Sequence, residues 1–156
     1  MGPLLIVRPF RASDLEALAP RLQPAQQAMV SYFQQQGYAE QLSRDPSFTL
    51  DAADLPVAAA GITPMWDSRA FAWALITVDA GKHMRTLTRA VLRFLNGCPV
   101  RRIEAYVAPD FPAAIRWMQI LGFSIEGRMR AFTPEGHDCF MYARIKGLPE
   151  AWPQHP

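Results

Sequence analysis

The sequence predicts an α/β (α+β) chain on a mixed, mostly antiparallel central sheet, and three observations carry that prediction. Ala70–Val78 alternates as a strand should, with Phe71, Trp73 and Leu75 on one face and Ala72 and Ala74 on the other; Arg102–Val107 alternates likewise. Between those two runs, Lys82 to Leu95 places Met84, Leu87, Val91 and either Phe94 or Leu95 at helical spacing, which makes one strand–helix–strand unit. The remaining strand-like runs are short and separated by turn residues, as antiparallel strands require.

The elements follow in order. Leu4–Pro9 is a short apolar run closed by proline, so a first strand. Ser13-Asp14-Leu15-Glu16 has the form of a capping box and opens a helix that stops near Pro20. Pro24 suits the first turn of a second helix, which carries Met29, Tyr32 and Phe33 on one side and ends at Gly37. Ser47–Leu50 and Val57–Ile62 read as strands, the second made of small residues that permit close packing, with Pro64–Ser68 as the turn into the Ala70–Val78 strand. Asp79-Ala80-Gly81 leads into the long helix, and Asn96-Gly97 ends it. Pro112–Leu121 is a helix closed by Gly122, followed by a final strand pair, Phe123–Glu126 and Cys139–Ile145, around Thr133-Pro134-Glu135-Gly136. One domain over residues 1–148 and a proline-rich tail from Pro149, with Trp152, complete the expected organisation.

Composition narrows the function classes. The chain has 156 residues, 50% apolar and 19% charged, which suits a folded domain rather than a disordered one. No apolar run approaches the ~20 residues of a membrane span. No basic-then-apolar stretch opens the chain, and Met1-Gly2-Pro3 lacks the Ser or Thr of a myristoylation signal, so a cytoplasmic protein is expected. Cys98 and Cys139 are too few for a disulfide framework or a self-sufficient zinc site, and no metal is expected. Hydrolase, zinc-enzyme and P-loop motifs are missing. The net charge of +2 hides an acid-free stretch with Lys82, Arg85, Arg89, Arg93, Arg101 and Arg102. Such a stretch can face phosphate or be a solvated helix face; no nucleic-acid motif accompanies it.

The run from Arg102 to Pro109, continuing through Ala113–Phe123 to Glu126-Gly127-Arg128, resembles the second half of the GNAT acyltransferase superfamily, and Val7–Phe10 with Ser13-Asp14-Leu15 is similar to that family's opening. The resemblance spans nearly the whole chain. It implies helices on both faces of the sheet, a V-shaped splay between the fourth and fifth strands, and acetyl-coenzyme A as co-substrate in that gap. The pyrophosphate motif Gln/Arg-x-x-Gly-x-Gly/Ala maps onto His83-Met84-Arg85-Thr86-Leu87-Thr88, flanked by Val78 and Arg89. Threonine stands at both glycine positions. Either the hydroxyls and the neighbouring cations still hold the diphosphate, or the loop has lost that use.

Catalytic groups are implied more thinly. The family's proton-donating tyrosine falls on Met118, which has no proton to give, and Tyr106 is the nearest alternative hydroxyl. Glu104 and His83 are the candidate bases; their alternatives are a strand residue paired with Arg102 and a surface histidine at a helix start. Tyr32, Trp66 and Trp73 would shape the acceptor site, and strand-four amides would polarise the thioester carbonyl. His137-Asp138 reads as a turn feature. Two functions stay open at this level. One is an acetyl-coenzyme A-dependent N-acyltransferase acting on a small-molecule or peptide amine, a homodimer being common for such folds. The other is a catalytically degenerate GNAT-fold protein with an interaction role, similar to divergent phage or prophage members, which would be virion-associated or host-modifying.

Overall fold

The computed structural model describes residues 2–147; the tail read from Pro149 lies outside the described residues. Seven strands are ordered β1-β2-β3-β4-β5-β7-β6: β1 (Leu5–Pro9), β2 (Ser47–Ala52), β3 (Leu55–Trp66), β4 (Arg69–Ile76), β5 (Arg102–Val107), β6 (Ser124–Met129) and β7 (Cys139–Ile145). The helices are α1 (Asp14–Leu18), α2 (Val30–Phe33), α3 (Tyr38–Arg44), α4 (Met84–Gly97) and α5 (Pro112–Ile120). Short 3-10 helices cover Ala19–Arg21, Pro24–Met29 and Val78–His83. Every expected strand is present, and the sheet is mixed, with β4 and β5 parallel. Among the described residues no helix is long and apolar enough to cross a membrane.

The chain forms two compact units, one holding the residues up to Pro64 and Ala72–Cys98, the other Met65–Phe71 and the residues from Pro99 on. In the first unit β1 pairs antiparallel with β2, and β2 with β3. Neighbouring strand residues point to opposite faces, and Phe48 and Thr49 of β2 show what covers each. Phe48 meets Phe94 of α4, ring centroids 5.5 Å apart, while the Thr49 hydroxyl donates to Asp14 of α1 at 2.8 Å. Helices therefore cover both faces of this part of the sheet. Leu18, Leu42, Leu50, Ile62, Leu75 and Leu87 fill its core. Gly61 is where β3 needs no side chain: a Cβ there would stand 2.6 Å from Ser47 Cβ, 2.8 Å from the Pro46 carbonyl and 2.9 Å from the Trp73 ring. In the second unit β5 pairs antiparallel with β7, β7 with β6, and α5 buries Met118. Ile103, Val107, Leu121, Phe123 and Tyr142 are buried in this unit.

Several boundaries differ from the sequence expectation, each for a local reason. Ser13 does not form a capping box: its backbone is already helical and its side chain makes no cap bond. The Glu16 N–H donates to the Ser13 carbonyl, and the acceptor side chain of this turn is Asp14, which takes the Arg11 N–H at 2.8 Å. Gly37, read as a helix stop, has φ +78° and begins α3, a helix that the sequence reading does not contain. The turn after β3 is confined to Asp67 and Ser68, so Trp66 is a strand residue. Val78 leaves the strand for the 3-10 helix.

Candidate functional site

Three groups of residues hold the chemistry, and each lies within one unit. The first is the start of α4. Thr77 ends the strand by donating its hydroxyl and its N–H to the Val57 carbonyl, at 2.6 and 3.1 Å. The 3-10 turn of Val78–His83 then delivers the chain directly into α4. His83 is buried at the position just before α4, not a surface histidine. Leu87 is buried, while Lys82, Arg85 and Arg89 are exposed. Thr86 and Thr88 are half-buried, and no residue from Val78 to Arg89 has a positive φ. The backbone therefore does not require glycine at either position for its own conformation; a glycine would only let an anion come closer.

The second group is the outer edge of β4. Thr77 turns its N–H toward β3, so Ile76 and Ala74 turn their backbone groups the other way. Pairing of β4 with β5 covers only Arg69, Ala70 and Phe71. Beyond that point the N-terminal segment takes the edge. Gln26 donates from Nε2 to the Ala74 carbonyl at 3.0 Å and accepts the Ile76 N–H at 2.7 Å. Gln23 N–H donates to the Ile76 carbonyl at 3.0 Å, and Leu22 bridges Thr77. Arg21 fastens the segment through Asp79 at 2.7 Å and the Pro56 carbonyl at 2.7 Å.

The third group stands on β4 and β5 in the second unit. Glu104 is fully buried and accepts from Arg69 Nε at 2.7 Å and Nη2 at 2.9 Å, and from Arg102 Nε at 2.8 Å. Arg102 also holds Glu126, with Nη1 to Oε2 at 3.0 Å. The Arg69 hydrogen bonds, helped by Arg102 and opposed by burial, hold the Glu104 carboxyl down to about 2. Such a carboxylate is a poor proton acceptor near neutrality, so the geometry favours the ion-paired alternative over the base, in a buried rather than exposed setting. Tyr106 stacks between Phe71 and Phe132, with centroid distances of 4.8 and 4.9 Å, and its hydroxyl lies 3.4 Å from Glu104. Burial, then the nearby Glu104 charge, raises its pKa. It stays a phenol at neutral pH.

The expected acceptor residues separate. Trp73 is buried against Phe10 and Phe33, at 5.3 and 5.9 Å between ring centroids, and its indole nitrogen has no partner among the described residues. Trp66 is 57% exposed, with the Arg69 guanidinium 4.8 Å from its ring centroid. Tyr32 belongs to α2, and its side chain lies outside the described residues. His137 and Asp138 serve the turn: His137 N–H donates to Thr133, and Asp138 accepts from Arg128 and from Ala131 N–H. Sequence reasoning did not single out Arg69, Gln26 or Asp14. Asp14 accepts from Arg8, Arg11 N–H and Thr49 and is 4% exposed, which makes it an anchor of the first unit.

No family model matches the chain, and no curated protein matches it in sequence. Solved structures match its fold. Ard1 from Thermoplasma volcanium is 16% identical over 90% of this chain and 97% of its own, with TM-score 0.74. A GNAT-family acetyltransferase from Bacillus anthracis is 14% identical over 93% and 96%, with TM-score 0.66. The structure of yncA from Salmonella typhimurium, solved with its cofactor acetyl-CoA, is 15% identical over 94% and 96%, with TM-score 0.68. The fold of this chain is that of the GNAT acetyltransferases.

Proposed function

We propose that this chain is an acetyl-CoA-dependent N-acyltransferase that acylates an amine. The observation that supports it best is the start of α4: the positive end of a fourteen-residue helix, with Lys82, Arg85 and Arg89 exposed beside it, in a chain whose fold neighbours include one solved with acetyl-CoA. The chemistry of the residues suits the phosphates of that molecule, with three exposed cations at a helix start where no residue has a positive φ. Acetyl-CoA supplies an activated thioester carbonyl. The α4 amides, Lys82, Arg85 and Arg89 would hold its phosphates, His83 lining the same turn, and β4 amides would orient the carbonyl. Tyr106, kept as a phenol, is the proton donor in this reading. Glu104 positions Arg69 and Arg102 rather than accepting a proton.

A thermal-shift titration tests the reading, with coenzyme A and ATP as controls. Ligand at about a hundred times its Kd adds roughly 2.7 kcal/mol, which raises Tm by about 5–10 °C for a chain of this size. A saturable rise with acetyl-CoA and not with ATP is expected; no rise at millimolar ligand overturns it.

One observation favours the second reading, a GNAT-fold protein used for interaction instead of chemistry. The β4 edge that acyl transfer would use is already occupied: the Ile76 N–H donates to Gln26, and the Ile76 carbonyl accepts from the Gln23 N–H. Stable partner capture with no acetyl-CoA binding would select it. The phage or prophage kinship suggested by the sequence has no counterpart among the neighbours named above.

A further inference from the structure

The Leu22–Gln26 segment behaves as a strand that is not one. Its backbone gives a single bridge, Leu22 to Thr77, closed by the Gln23 N–H on the Ile76 carbonyl, and the rest of its pairing with β4 comes from the Gln26 side chain. A primary amide presents one donor and one acceptor side by side, the same pair that a neighbouring strand would offer, and Gln26 places them on Ala74 C=O and Ile76 N–H. A side-chain amide can leave that edge by rotating its own bonds, whereas a true strand leaves only with its ladder. The segment is also kept in shape independently of β4: Gln27 Nε2 donates to the Leu22 carbonyl at 2.9 Å, and Gln26 N–H to the Gln23 carbonyl at 2.8 Å. Pro24 fixes the backbone at the start of its 3-10 turn.

We propose that this segment is a releasable strap: in the free protein Gln26 closes the outer edge of β4, and acyl-CoA binds by displacing it, so Gln26 sets the apparent affinity of the site. The proposal rests on the acyl-transfer reading, which needs the Ile76 N–H region free to meet a carbonyl. The open state is a minority as long as Gln26 holds both groups. Apparent affinity is reduced by the fraction of molecules that are open, and two ordinary hydrogen bonds make that fraction roughly 5- to 30-fold smaller than without them. Arg21 contributes from outside the edge, because its bonds to Asp79 and Pro56 fix where the segment enters.

The test uses the full chain and acetyl-CoA itself. Calorimetric titration of wild type, Gln26→Ala and Arg21→Ala is combined with hydrogen exchange at the Ile76 amide. Near-ultraviolet circular dichroism checks that each variant keeps its packing. The expected result is roughly 5- to 30-fold tighter acetyl-CoA binding by Gln26→Ala, a smaller gain for Arg21→Ala, and faster Ile76 exchange in both free variants. Equal or weaker binding by Gln26→Ala, with Ile76 exchange accelerated, overturns the strap and leaves the acyl-CoA reading standing. No binding by any of the three folded proteins overturns both together.

Discussion

Replacing Glu104 by glutamine tests what the buried carboxylate does. It sits beneath two guanidiniums, with a side chain 2% exposed, and its pKa is held at about 2 against an ordinary 4.5. At 1.36 kcal/mol per tenfold, that difference is on the order of 3 kcal/mol of folding stability near neutrality. Because the folded pKa is depressed, the contribution is complete above the unfolded value, beyond about pH 5, and is lost as the pH falls toward 2. Glu104→Gln keeps the shape but removes the charge, and turns an amide NH2 toward donors that have lost their acceptor. The assay is urea unfolding of wild type and variant at several pH values between 7 and 3. Subtracting the two curves cancels Asp14, whose pKa is also lowered; Glu126 shares Arg102 with Glu104 and gains that guanidinium for itself in the variant. A gap of about 3 kcal/mol at pH 7, narrowing in acid, is expected; at about 2–4 °C per kcal/mol it corresponds to a Tm lower by roughly 6–12 °C. A gap below 0.5 kcal/mol, or one independent of pH, would refute the argument. So would a loss of turnover with stability unchanged, since that is the signature of a base.

Three further outcomes follow from the same geometry. Gly61→Ala should destabilise by about 2–3 kcal/mol, since the new methyl meets a backbone carbonyl and a Cβ that cannot swing aside; urea unfolding measures it. Thr86→Gly with Thr88→Gly should deepen the acetyl-CoA thermal shift while lowering the ligand-free Tm by a few degrees, because glycine opens the backbone but weakens a helix. An unchanged shift would mean that the threonines never limited the approach. Tyr106→Phe should leave stability within about 0.5 kcal/mol, its hydroxyl contact being long at 3.4 Å, while turnover with an accepting amine drops roughly 100-fold or more; full turnover in the variant removes Tyr106 as proton donor.

Much of the sheet is legible because its strands obey one rule at a time. Cys139–Ile145 is bounded by turn residues and appears at the expected limits. Arg102–Val107 alternates and does the same. The helix read from Lys82 starts two residues late because a 3-10 turn precedes it, and Asn96 and Gly97, read as its stop, are its last two residues. Local signals mislead where one residue serves two uses. Glycine ends helices more often than it begins them, so Gly37 hides α3. Ser13 and Glu16 have the spacing of a capping box, but the Ser13 backbone is already helical, so its side chain is not set to cap. The site is less legible because its bonds are distant in sequence. Arg69 and Glu104 are 35 residues apart, and Gln26 and Ile76 are 50 apart. No pattern of periodicity records that an amide side chain will stand in for a strand, or that two arginines will converge on one glutamate.

The outermost place of β1 bears on how the protein behaves when concentrated. A terminal strand offers a row of unpaired amides to any passing chain, and Ile6 and Val7, 40% and 51% exposed, would hold such a visitor. The strand is only five residues long, and Pro9 removes a donor at its end. Arg8, tied to Asp14 and Asp51, fixes a charged cluster in the middle of the same stretch. Molecules meeting edge to edge at β1 therefore gain fewer ladder bonds than a longer, proline-free border would give.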